Sequence, residues 1–137
     1  MLRSVAAAVI ALMALSGAPT SASAQAAISG TWQGTYECPQ GVTGLTLTIV
    51  GDTPSNLAGN FRFYPTPDNT RPASGDYEVA ISFDPANLRV DVQGTRWIDQ
   101  PPGFEFASLR GVLQGRQLIG TVENPGCGAF ALTRTDR

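Results

Sequence analysis

The 137-residue chain contains no histidine and no lysine, and it has only two cysteines, Cys38 and Cys127. Without histidine there is no Ser-His-Asp triad, no imidazole base near neutral pH and no ordinary transition-metal site. Without lysine, positive charge rests on nine arginines spread along the chain, against eleven acidic residues. A mildly acidic chain of this kind carries no electrostatic footprint for nucleic acid or an anionic membrane. Helical periodicity is missing as well. No stretch repeats apolar residues at i, i+3, i+4 and i+7 over three turns, and glycine or proline breaks almost every window of a dozen residues. A matched pair of carboxylates can hydrolyse glycosides, but the carboxylates here are scattered over turns and outward positions and read as solvated faces. No turn gathers enough oxygen donors for Ca²⁺. The expectation is a protein that is not an enzyme, with no cofactor and no metal.

What is present begins with a leader. Arg3 precedes an apolar run from Val5 to Leu15, then a Ser/Pro/Thr stretch, then Ala22-Ser23-Ala24. This is the charged, apolar, small-residue order of a secretory signal cleaved after Ala24. The run is too short for the ~20 residues that cross a bilayer, and no cysteine follows it closely enough to carry a lipid. Residues 1–24 are therefore expected to be a cleaved signal peptide, leaving no integral membrane segment, and 25–137 to be one domain, secreted or periplasmic. In an exported chain two cysteines read as one disulfide, Cys38 to Cys127.

The rest alternates with period two, the pattern of half-buried strands. In "TWQGTYEC", Trp32, Gly34, Tyr36 and Cys38 share one face; in "TGLTLTIV", Leu45, Leu47 and Ile49 do. "LAGNFRFY" sets Leu57, Gly59, Phe61 and Phe63 opposite Asn60, Arg62 and Tyr64, and "GDYEVAISF" sets Tyr77, Val79, Ile81 and Phe83 opposite polar or small residues. "NLRVDVQGTRWI" offers Leu88, Val90 and Val92, with Gly94 as a kink or bulge. "FEFASLRGVL", "RQLIGTVE" and "CGAFALTR" complete eight strands joined by short turns. Eight one-sided strands bury their faces and remove their edges by closing into an antiparallel up-and-down barrel. The cysteines agree: with an even strand count the end of the first strand lies beside the start of the last, where Cys38 and Cys127 fall. Parity raises one conflict. If the cysteines share a face, Ala129 and Ala131 point in and Phe130 and Leu132 point out, unless an irregularity near Gly126 or Gly128 resets the alternation.

Gly30-Thr31-Trp32 at the head of the first strand, with Arg134 on the last, resembles the Gly-x-Trp opening of the calycin barrels, the lipocalins and avidins. The resemblance implies a tryptophan plugging one end of the barrel with an arginine packed across it. The chain departs from lipocalins in lacking their Thr-Asp-Tyr turn and C-terminal helix, and from avidins in having only Trp32 and Trp97. Tyr36-Glu37-Cys38, Ser74-Gly75-Asp76-Tyr77 and Cys127 resemble, more distantly, the periplasmic inhibitors of C-type lysozyme. That likeness implies inhibition of a foreign hydrolase, although the family's lysine has no counterpart here. The segment Gln25–Ser29 bears a slighter likeness to the N-terminus of secreted metalloprotease inhibitors.

The meander places the connections at 39–42, 65–74, 99–103 and 123–126 at the disulfide end. Those at 51–56, 84–86 and 113–115 fall at the other. The long loop "PTPDNTRPAS" and the proline-rich "DQPPG" thus share an end with Tyr64, Arg71, Tyr77, Trp97, Asp99 and Phe104. Prolines stiffen a binding loop, and aromatics with an arginine are the residues that carry binding energy most often. These six are the expected contacts for a small molecule or a protein partner. The competing reading makes Trp97 and Phe104 plugs of the core.

Overall fold

The computed structural model describes residues 28–136. The expected signal peptide and its cleavage point lie outside the described residues. Eight strands follow one another: β1 Gly30–Cys38, β2 Gly41–Val50, β3 Leu57–Tyr64, β4 Gly75–Asp84, β5 Arg89–Asp99, β6 Leu109–Gln114, β7 Gln117–Val122 and β8 Ala129–Arg134. Each pairs antiparallel with the next, and β8 returns to β1 from Trp32↔Arg134 to Tyr36↔Phe130, closing the barrel. The expected Cys38–Cys127 disulfide is formed, 89 residues apart in sequence, and ties the seam just beyond the last β1–β8 pair.

Alternation decides what goes inside. Leu45, Leu47 and Ile49 of β2, Phe61 and Phe63 of β3, and Tyr77, Val79, Ile81 and Phe83 of β4 are all buried. Each such side chain contributes roughly 1.5–3 kcal/mol of transfer free energy when fully buried. The face conflict at the last strand resolves as an irregularity near Gly128. Cys127 and Gly128 precede β8 rather than beginning it, and the Gly128 amide donates to the Glu37 carbonyl while its own carbonyl accepts from Val122. Alternation restarts at Ala129, so Phe130 and Leu132 are buried and Ala129 and Ala131 are exposed.

Two further corrections concern β5 and β6. Leu88, expected to face inward, sits in the turn before β5 with φ 60° and is 41% exposed. The expected bulge at Gly94 is present. Val79 opposes Gly94 while Glu78 opposes Arg96, which leaves Thr95 without a partner, and Ile98 is skipped in the same way. Segment 104–108, expected to open the sixth strand, is not strand; β6 begins at Leu109. Pairing of β5 with β6 stops at Val92↔Leu109, and the segment crosses the barrel mouth instead. Phe106 fills the space over Gly94, where a Cβ would overlap its ring. The Tyr77 hydroxyl donates to the Ala107 carbonyl at 3.1 Å and accepts from the Ala107 amide at 3.0 Å. Asn124 accepts from the Ser108 amide and donates to the Phe106 carbonyl.

The end carrying the chain termini is closed. Trp32 is fully buried, its Nε1 donates to the Ile28 carbonyl at 2.9 Å, and the Arg134 guanidinium lies 4.5 Å from its ring centroid. Arg134 also donates to the Ser29 carbonyl and pairs with Asp136 at 3.3 Å. The amide of Thr31 and the Arg134 charge hold the Asp136 carboxyl below its ordinary value. This is the plug-and-arginine arrangement that the Gly-x-Trp likeness implies.

Candidate functional site

The disulfide end is built on an aromatic platform. Phe61 stacks on Tyr77 (4.6 Å), Phe63 stacks on Phe104 (5.0 Å), and Trp97 stacks on Phe106 (5.1 Å). Tyr36 meets Phe61 edge-on at 5.4 Å. Offset and edge contacts of this kind are each worth about 0.5–1.5 kcal/mol beyond the area they bury. Burial pushes the Tyr36 and Tyr77 phenols well above the ordinary tyrosine value, so both are neutral hydrogen-bonding groups over the whole physiological range.

Beside this platform opens a cleft of about 470 Å³, within the size range of small-ligand sites. Three loops frame it. The β1–β2 turn supplies Pro39 and Gln40, the β5–β6 crossing supplies Gly103, Phe104, Glu105 and Ala107, and the β7–β8 turn supplies Asn124 and Pro125. Tyr36 and both halves of the disulfide complete the lining. Gln40 Nε2 donates to Thr43 Oγ1 at 3.1 Å and reaches the Tyr36 hydroxyl at 3.5 Å. The long 65–74 loop is anchored rather than merely long. Asn69 Nδ2 donates to the carbonyls of Gln40 and Val42, occupying the space beside Gly41, whose φ of 94° favours glycine.

Of the six expected contact residues, only Phe104 lines the cleft. Tyr77 lies in the core, 1% exposed. Trp97 is half-buried and packed on the core, as the competing reading had it. Tyr64 faces outward over Gly44 and hydrogen-bonds Thr46, and Arg71 and Asp99 are exposed and outside the cleft lining. Ser74-Gly75-Asp76-Tyr77 does not project as a loop: β4 begins at Gly75, and Gly75 is buried. Sequence reasoning did not single out Tyr36, Gln40, Glu105 or Asn124 as contacts. Proximity to the cysteines was the available signal, because Pro39-Gln40 follows Cys38 and Asn124-Pro125 precedes Cys127.

Charge is distributed unevenly between the ends. The disulfide end carries Glu37, Asp68, Asp99 and Glu105 with Arg71, and Glu123 paired with Arg110 at 3.6 Å, whereas the terminal end balances Asp52, Asp84 and Asp136 with Arg89, Arg116 and Arg134. A second depression, on the outer face of β2–β5, is lined by Val50, Ala58, Ala80 and Ile98. Its carboxylate, Glu78, is engaged by Arg96 at 2.6 Å. No helix among the described residues is long and apolar enough to cross a membrane, and the disulfide is compatible with an oxidising, exported location. Scans against protein-family models, curated proteins and solved structures each found no match for this chain.

Proposed function

We propose that this is an exported, non-enzymatic barrel that binds a ligand or a protein through its disulfide end. One observation carries the reading: a mostly apolar cleft of ligand size lies at that end, held by a covalent bond, an aromatic platform and side-chain anchors on two of its framing loops. Loops fixed in advance lose little entropy when a ligand arrives. The leader expected at 1–24 supports export, and the disulfide is compatible with it. A mixture of apolar fragments titrated into ¹⁵N-labelled protein, recovered from expression of the full chain, tests the reading. Shifts are expected in the amides of 40, 103–107 and 124–127. Shifts confined to the terminal end or to the outer face of β2–β5 would overturn it.

A further inference from the structure

We infer that the cleft selects organic cations: an amine or guanidinium carried on a flat apolar body. The inference rests on the reading that the disulfide end is the binding end, and it concerns the chemistry of the cleft itself. The amide side chains of the lining are turned largely onto the protein itself, while the buried Tyr36 hydroxyl accepts from Gln40 and keeps its own O–H to offer. Asn124 spends its Nδ2 on the Phe106 carbonyl and its Oδ1 on the Ser108 amide, and Gln40 Nε2 is turned onto Thr43 and Tyr36. Among the described residues, the Glu105 carboxylate and Gln40 Oε1 have no hydrogen-bond or ion-pair partner. Both are acceptors, so a ligand that satisfies them must bring donors, and because one of them is a carboxylate a charged N–H donor suits it best.

The surroundings favour the same sign. At this end of the barrel Glu37, Asp68 and Asp99 outnumber Arg71, and Glu123 is paired with Arg110 at 3.6 Å, which leaves a modest negative field that attracts a cation and repels a carboxylate. The apolar part of the ligand meets Phe104, Tyr36, Pro39, Pro125 and the disulfide sulfurs. Phe104 rests on Phe63, and its ring also lines the cleft, where it offers a cation a π face. Glu105 is exposed, so the charge preference is modest and sensitive to salt.

Titrations of 2-phenylethylamine, 2-phenylethanol and phenylacetate followed by amide shifts test this. The amine is expected to bind about three- to tenfold more tightly than the alcohol, and phenylacetate most weakly. The preference is expected to collapse in about 0.5 M salt, where charges are screened within a few ångströms. Glu105→Gln should remove it too, bringing the amine's affinity down to that of the alcohol with the melting temperature unchanged. A short peptide carrying Phe-Lys separates the sources: binding much tighter than the free amine assigns the cation to a protein side chain, and equal binding to a small molecule. Phenylacetate binding as tightly as the amine, with shifts still at the cleft, overturns the inference but keeps the binding end. An amine preference that survives Glu105→Gln overturns it equally. Probes that shift no cleft amide overturn both.

Discussion

The two ends of this barrel are closed by different chemistry. At the terminal end, Trp32 fills the lumen, Arg134 covers its ring, and the lining groups bond one another: indole to Ile28, guanidinium to Ser29 and Asp136. At the disulfide end, aromatic rings fill the lumen too, but the loops above stand apart around a cleft that keeps an unpaired carboxylate and amide oxygen. The one buried side-chain atom among the described residues that lacks a hydrogen-bond partner, Arg134 Nη2, belongs to the guanidinium over Trp32 and is shut off from solvent, so this end has little to offer a ligand. The open acceptors at the disulfide end are reached by water, which keeps them at little cost in stability and leaves them available to a ligand. The difference separates a closed plug from an end with an open cleft, the proposed binding mouth, within one small fold.

The comparison can be broken first at the seam. Replacing Cys38 and Cys127 together by serine should cost about 4–5 kcal/mol in denaturant unfolding, because the bond closes most of the domain into one loop. It should also weaken binding, since the sulfurs form part of the cleft wall. A loss of stability below about 1 kcal/mol would show that the unfolded chain is not constrained in this way. Next is the plug. Trp32→Ala should cost about 3–5 kcal/mol through the cavity it leaves, yet spare binding at the far end if the fold survives.

Smaller is Tyr77→Phe, expected at about 1–3 kcal/mol because it strands the buried amide and carbonyl of Ala107. Tyr77 and Tyr36 also set the alkaline limit. Their folded pKa values are raised, so their contribution is complete below the unfolded value near 10.0 and is lost as pH rises through the folded values. Glu78 and Asp136 have lowered values, Glu78 through its bond to Arg96, so their contribution holds above the ordinary carboxylate range and is lost as pH falls through the folded values. With no histidine to titrate, melting temperature should be flat from about pH 5 to 9 and fall on both sides. A steep change near pH 6.5 would contradict this, and Tyr77→Phe should soften the alkaline fall.

Most of the fold was legible because a strand's side-chain period is two and the interior is apolar. Trp32, Leu47, Phe61 and Val79 reveal their faces to simple counting. Gly94 was also readable as a bulge, since a glycine in a strand interior marks a kink or the close approach of another group. Counting fails where the chain leaves the ladder. "FEFAS" alternates like a strand, but its phenylalanines serve ring stacking at the mouth, and that depends on β5 ceasing to pair with β6 beyond Val92. Leu88 is apolar but belongs to a turn, because φ 60° there ends the preceding reversal. At the candidate site, composition drew attention to the end where the cleft opens, but of the six side chains it named only Phe104 lines that cleft. Trp97 and Tyr77 are aromatic because they hold the platform, whereas Gln40, Glu105 and Asn124 gain their roles from a tertiary arrangement that no local pattern encodes.

The most direct test sets the two ends against each other in one titration, comparing 2-phenylethylamine binding to Phe104→Ala and to Trp32→Phe. Phe104→Ala, with its fold retained by circular dichroism, is expected to lose affinity about tenfold, equivalent to ~1.4 kcal/mol. Trp32→Phe should lower the melting temperature but bind like the unaltered protein. Affinity that survives Phe104→Ala and falls in Trp32→Phe would contradict the assignment of binding to the disulfide end.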